Sequence, residues 1–234
     1  MTRTRMIKPP FVNSFHNHTR IRDNDMARQM RIRSYQREQM NGIYLPHIEP
    51  FNRIVGNTKT AEEWMPYVAP VYGGCDARVL AIFRDPGPAT REGIGSGMLC
   101  VENDDPSAER HYNFLKNSGI DVSDLMVWNT YPWYINRKPT SAEVDRGLPI
   151  LKQIIDLCPN LTVVMAHGGD AQLAWRRLQS RYPGVVDGIS TIDTYHTSRQ
   201  ALWHKDPDVR AQREHKLAHD FARAAEILAA TPHE

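Results

Sequence analysis

With 234 residues, 41% hydrophobic and 24% charged, the chain is long enough for one substantial domain and too short for two large ones. No stretch approaches the roughly 18 apolar residues that span a bilayer, and the arginine-bearing start has no apolar signal core, so a cytoplasmic protein with no membrane partner is expected. Cys75, Cys100 and Cys158 are odd in number and far apart, which argues against a disulfide framework and against Cys-x-x-Cys zinc pairs; they read as buried thiols.

Charge is uneven along the chain. Residues 1–60 hold 11 Lys/Arg and 4 Asp/Glu, a balance of +7, whereas the remaining 18 basic and 23 acidic residues give −5. A basic arm on a mildly acidic body is an electrostatic footprint for nucleic acid, although a solvated N-terminus produces the same balance. Residues 1–25 read as an extended arm. From Met26 to Met40, Met26, Met30, Ile32 and Tyr35 alternate with arginines as in a basic amphipathic helix. Segment 41–78, rich in Pro, Gly and Asn, reads as a wrapping connection with one short helix from Ala61 to Tyr67.

A regular pattern begins at Val79. Strand 79–83 precedes a glycine-containing loop, and a helix over about 107–118 has Ser107 as N-cap and Gly119 just past its end. Strand 125–129 follows. Thr140-Ser141-Ala142-Glu143 is a capping-box signature for a helix bearing Val144, Leu148, Leu151 and Ile155. Leu161–Ala166 is a continuously apolar strand, Gly168-Gly169 introduces a helix through Leu178, and a strand over about 188–195 precedes a last helix from Asp206-Pro207 with Leu217, Phe221, Ala224 and Leu228 at helical spacing. Alternating apolar strands and helices predict a three-layer α/β/α fold with a central four-stranded parallel sheet. The division expected is an irregular basic N-terminal extension over 1–78 and an α/β domain over 79–234.

Three of the apolar runs end in polar clusters: Arg84-Asp85-Pro86-Gly87-Pro88, Asn129-Thr130-Tyr131-Pro132-Trp133 and His196-Thr197-Ser198-Arg199. Ligands of open α/β sheets bind outside the carboxyl ends of the strands, so Asp85, Asn129 and His196 are expected around one crevice. An acid, an amide and an imidazole there suit base recognition and acid/base chemistry. No metal or organic cofactor is expected. His215 and His219 share a helix face, but Lys216 stands where a zinc protease needs glutamate, and His16 and His18 have no identifiable partners.

In this order the motifs resemble the uracil-DNA glycosylase superfamily, from about Val79 to Leu202. Asp85-Pro86-Gly87-Pro88 resembles the first motif, and Asn129 a strand-end asparagine that reads the base. Asn136-Arg137-Lys138-Pro139-Thr140 resembles the stretch after that asparagine, and Val163–Gly168 followed by Ala171 the third strand with its glycine. His196-Thr197-Ser198 resembles the His-Pro-Ser signature, and Arg199-Gln200-Ala201-Leu202 the segment that follows it. Three departures stand out: Phe83 replaces the glycine that usually opens the first motif, Thr197 replaces the last motif's proline, and the four cysteines of iron–sulfur branches are missing. The loop Gly95–Cys100 also lacks the aromatic that stacks on the base, leaving Met98 or Leu99, or else Tyr131 or Trp133, to pack there.

The resemblance implies a monofunctional DNA glycosylase of base-excision repair, acting as a monomer on uracil or a related deaminated base in single- or double-stranded DNA. A non-catalytic relative that binds nucleic acid or a flipped base is the alternative. Breaking an N-glycosidic bond produces an oxocarbenium-like sugar and an anionic base. Asp85 at a strand end suits water activation beside the cation, and Asn129 offers a donor and an acceptor to the O4/N3–H edge of uracil. The resemblance gives His196 a hydrogen bond to a carbonyl oxygen of the leaving base, for which a neutral imidazole suffices. Extruding the base costs a few kcal/mol. Wedge or phosphate contacts are expected from Arg199, Gln200, Leu202, Ser198, Thr197, Arg137, Lys138 and the backbone near Pro88–Thr90.

Overall fold

The computed structural model describes residues 27–231. The expected arm over 1–25, with His16 and His18, lies outside them. The basic amphipathic stretch forms one 3-10 turn, Gln29–Arg31, and then helix α1 (Arg33–Asn41), shorter than its pattern suggests. The turn is fastened to the loop before α3 (Pro106–Ser118) by the Met30 N–H on the Glu102 carbonyl at 3.0 Å and by Arg28 on Asp104 at 3.3 Å, and to the first turn of α3 itself by Arg28 on Glu109 at 2.6 Å.

The segment expected to wrap contains a helix, α2 (Glu49–Thr58), and the helix expected over Ala61–Tyr67 does not form. Pro50 reads as a breaker in sequence but is well suited to a first helical turn, where its missing N–H is not needed. Pro66, in contrast, disfavours helical backbone at Met65. Phe51, Asn52 and Val55 bury one face of α2. The Asn52 amide donates to the carbonyls of Ile43 and Val68 and accepts the Val68 N–H, so it pins β1 (Tyr67–Val68) to the helix.

The four long strands are β2 (Val79–Phe83), β4 (Leu125–Asn129), β5 (Val163–His167) and β6 (Ser190–Thr194), all parallel in the order β4-β2-β5-β6. The short β3 (Met98–Leu99) pairs with β1. This is the expected sheet, with β5 starting later and running one residue further than its apolar run, which places His167 in the ladder. Helices α4 (Ser141–Asp156) and α5 (Gly169–Arg181) cover one face: the indole of Trp175 bonds Thr191 at 2.9 Å, and Arg176 pairs with Asp193. Helices α3 and α7 (Pro207–Ala230) cover the other, where Phe221 and His111 pack against His167. The three layers follow from this division.

Side-chain caps mark the starts of α3 and α4. Thr140 and Glu143 form the full capping box of α4. For α3 the cap is Asp105, not Ser107: its carboxylate accepts the N–H groups of Ser107 and Ala108, each at 2.9 Å, and Pro106 fills the first turn. Gly147 lets α4 approach the end of β4, since a Cβ there would lie 2.0 Å from the Thr130 carbonyl oxygen. Cys100 and Cys158 are buried and Cys75 is partly covered.

Candidate active site

Residues paired across a parallel sheet project to the same face. Phe83 pairs with Asn129, Ala166 and Ile82 pair one step earlier, and His167 pairs with Thr194. The carboxyl edge therefore carries Asn129, Phe83, His167 and Thr194 side by side across all four strands. Asn129, His167 and Thr194 are buried, and Asn129 Nδ2, His167 Nε2 and Thr194 Oγ1 have no hydrogen-bond partner among the described residues.

Phe83 organises this row. Its ring stacks on His167 with centroids 4.4 Å apart and 10° between planes, and meets His196 and His111 edge-on at 5.2 and 5.4 Å. These are the geometries that aromatic quadrupoles favour. The residue that replaces the expected glycine thus touches three histidines. Past it the chain ends of β2 and β4 stay together, with the N–H groups of Thr130 and Tyr131 on the carbonyls of Phe83 and Arg84 at 2.8 and 2.9 Å.

His196 leaves β6 two residues beyond Thr194. Its Nδ1 accepts the Ser198 N–H at 2.9 Å. A backbone N–H only donates, so the neutral ring carries its proton on Nε2. Burial, and then the charge of Arg84, pull its pKa down to about 4, which keeps the ring neutral near pH 7. Gly168, at φ 88°, lies against it: a Cβ there would be 3.4 Å from the His196 Cβ. Arg110 from α3 holds the next carbonyl, Thr197, at 3.1 Å. Thr197 itself is buried, which removes it from any phosphate contact.

Asp85 lies two residues beyond Phe83, with its side chain nearly covered. Burial raises its pKa above the ordinary carboxylate value, while the hydrogen bond from Arg84 Nε to Oδ1 opposes that rise. Arg84 also lies 4.0 Å from Asp170, whose other oxygen takes Lys138 at 2.6 Å. Arg84 thus stands electrostatically between the acid and the imidazole. It sits in the first polar cluster, but only the folded chain reveals that its charge reaches both groups.

The other expected site residues are distributed unevenly. Met98 is buried in a separate cluster with Met30, Ile43, Ala69 and Cys100, whereas Leu99 faces the main core. Tyr131 is buried against Trp133 and Arg146. Pro88 is exposed and opens a 3-10 turn in which the Thr90 N–H is taken up by the Gly87 carbonyl. Ser198 caps α6 (Arg199–Leu202), from which Arg199 and Gln200 project into solvent. Leu202, expected among the wedge or clamp residues, is 3% exposed and belongs to the core. Arg137 and Lys138 are exposed but engaged, with Arg137 on Glu143 at 2.6 and 2.9 Å.

The family model of the uracil DNA glycosylase superfamily matches residues 70–219. The chain belongs to that superfamily. The match covers more than half of the chain and includes all four long strands together with Asp85, Asn129 and His196. No curated protein matches the chain. Superfamily membership brings a glycosylase-like function and DNA as the partner at that general level. Among the described residues no helix is long and apolar enough to cross a membrane.

Proposed function

We propose that the protein is a monofunctional DNA glycosylase that hydrolyses the N-glycosidic bond of uracil or a related deaminated base, in the service of base-excision repair. The observation that carries this reading is the state of His196. Its ring is neutral, its Nδ1 is occupied by a backbone donor, and its proton therefore sits on Nε2. Such a donor is fixed before the substrate arrives and has little reorganisation to undergo when charge develops on a leaving base. A protonated imidazole would have to be desolvated at much greater cost.

In this reading Asn129 reads the base edge, using the amide hydrogens that have no partner within the described chain. Asp85 takes a proton from the attacking water as the sugar becomes cationic, and its burial makes it a better base than a solvated aspartate. Phe83 supplies an aromatic wall beside Asn129 and fixes the edge of His196. Base-packing by Met98, Leu99 or Tyr131, and phosphate contacts by Pro88, Ser198, Arg199, Gln200, Arg137 and Lys138, complete the assignment. Arg137 and Lys138 are themselves exposed, so their long side chains can turn from partly buried Glu143 and Asp170 toward phosphate.

One observation favours a second reading, a non-catalytic relative that binds an extruded base: Arg84 occupies an oxygen of the would-be base Asp85. Incubation with single- and double-stranded oligonucleotides carrying one uracil, hypoxanthine or xanthine, followed by alkali, distinguishes the two. Strand scission at the modified base is the expected result. Retained DNA binding with no scission of any substrate would replace the enzyme by the binding protein.

A further inference from the structure

Of the five tryptophans, Trp128, Trp133 and Trp175 are buried and Trp64 is partly covered, whereas Trp203 is 58% exposed. It follows α6 directly and stands one helical turn beyond Arg199, its N–H on the Arg199 carbonyl at 2.9 Å. Positions four apart on a helix share a side, so the Trp203 and exposed Arg199 side chains leave the backbone in the same direction.

A single exposed aromatic is unremarkable on a protein surface, but this one is held on a clamped backbone. Arg213 Nη1 donates to the carbonyls of Ala201 and Trp203 at 3.2 and 2.8 Å. Arg210 Nη1 donates to those of His204 and Lys205 at 2.6 and 3.3 Å. The Arg213 guanidinium also lies 5.8 Å from the ring centre of Tyr195, the residue before His196. Leu202 beside it is anchored in the core. The same arginine therefore ties the Trp203 backbone to the start of the His196 loop.

An exposed indole on a clamped backbone between Arg199 and Lys205, seven residues past His196, has the composition of a single-strand binding platform: an aromatic face with flanking cations. We propose that Trp203 stacks on an unpaired nucleobase flanking the extruded nucleotide, with Arg199 and Lys205 on the adjoining phosphates, and that this gives the protein a preference for single-stranded over duplex DNA. The preference arises because a flanking base in a single strand is free to turn a face onto a surface indole, whereas in a duplex its pairing partner and outer neighbour hold it in the stack, and the one face uncovered by extrusion opens only onto the gap inside the helix. This inference rests on the glycosylase reading for the position of the extruded nucleotide.

The test uses the full chain and a labelled oligonucleotide bearing one uncleavable abasic analogue, as a single strand and as a duplex. Trp203→Ala should weaken single-strand binding roughly 5- to 150-fold, the range for loss of one base–aromatic stack, and duplex binding much less. Trp203→Phe should restore part of the affinity. Saturating single strand should quench the exposed tryptophan emission of the parent and not that of Trp203→Phe. Unchanged single-strand affinity in Trp203→Ala would overturn the inference, as would equal losses on both DNA forms. A monomer–dimer equilibrium in sedimentation that Trp203→Ala abolishes, with DNA affinity intact, would assign the face to a second copy instead. Base release from uracil, hypoxanthine or xanthine is scored separately. Its absence with Trp203-dependent binding retained refutes the glycosylase reading alone, and its presence with Trp203-independent binding refutes this inference alone.

Discussion

Acidification from pH 7 to pH 5 should cost this fold about 6 kcal/mol, and three buried histidines are the reason. Burial lowers the pKa of His111 to about 3, with a further contribution from His196, and lowers that of His167 well below the ordinary value; His196 is held at about 4. A histidine whose folded pKa is depressed adds stability above its unfolded pKa, near 6.5, and loses it as pH falls below that value, because the unfolded chain takes up the proton and the native ring does not. Between pH 7 and 5 each ring that stays neutral loses about 2 kcal/mol, so the exact folded values matter little to the sum. The total of about 6 kcal/mol is comparable to the whole stability of many domains. Two carboxylates bear on the size of this loss. Glu143 is held at about 2 by the Arg137 side chain and then by the Thr140 N–H, so its effect appears only at lower pH, and the raised pKa of Asp85 acts in the opposite direction. Urea unfolding at pH 7, 6 and 5 measures the loss. His111→Phe, which keeps a ring beside Phe83 and Phe221, removes one of the three rings and should reduce the dependence below pH 6 by about a third. A midpoint that does not move between pH 7 and 5, or an equal slope in His111→Phe, would refute the reasoning.

Asp85→Asn and His196→Ala should each lower base release by about two orders of magnitude or more in single-turnover assays while DNA binding persists, since each removes a group used only as the bond breaks. Arg84→Met removes the positive charge beside both groups, so the acid limb of the pH–rate profile should move to higher pH, as the Asp85 and His196 pKa values both rise. Arg110→Ala frees the Thr197 carbonyl and with it the His196 loop; a roughly 10-fold or greater fall in kcat with little change in KM is expected, measured against an unchanged melting temperature. Gly147→Ala should cost about 3 kcal/mol, read as a melting temperature lower by roughly 6–12 °C, because its Cβ meets the Thr130 carbonyl.

The core elements were legible wherever a local signal was complete. The run Val79–Phe83 between turn residues is a buried parallel strand, and Thr140 with Glu143 announces its helix by reciprocal capping. Elsewhere one signal hid another. Pro50 disguised α2 as loop because its effect depends on position within the helix, and Ser107 looked like a cap because Asp105 lies just one residue further upstream of Pro106. Leu202 and Trp203 show the limit more sharply. Both follow His196 in a polar stretch, and only the path of α6 decides that the leucine enters the core while the indole faces water.

The sequence by itself determined that apolar strands alternate with capped helices and that an acid, an amide and an imidazole stand at strand ends. Both are statements about neighbours along the chain, which propensity and periodicity report. Tertiary structure alone decided that Phe83 is stacked on His167 and edge-on to His196, that Arg84 lies within electrostatic reach of both Asp85 and His196, and that the imidazole carries its proton on Nε2. Those properties depend on strand register, burial and contacts such as Phe83 with His167 and with His196, 84 and 113 positions apart. Even the short-range bonds, Ser198 N–H on His196 and Arg84 on Asp85, take the geometry that the folded loops give them, and together they set which groups are charged and where the proton is.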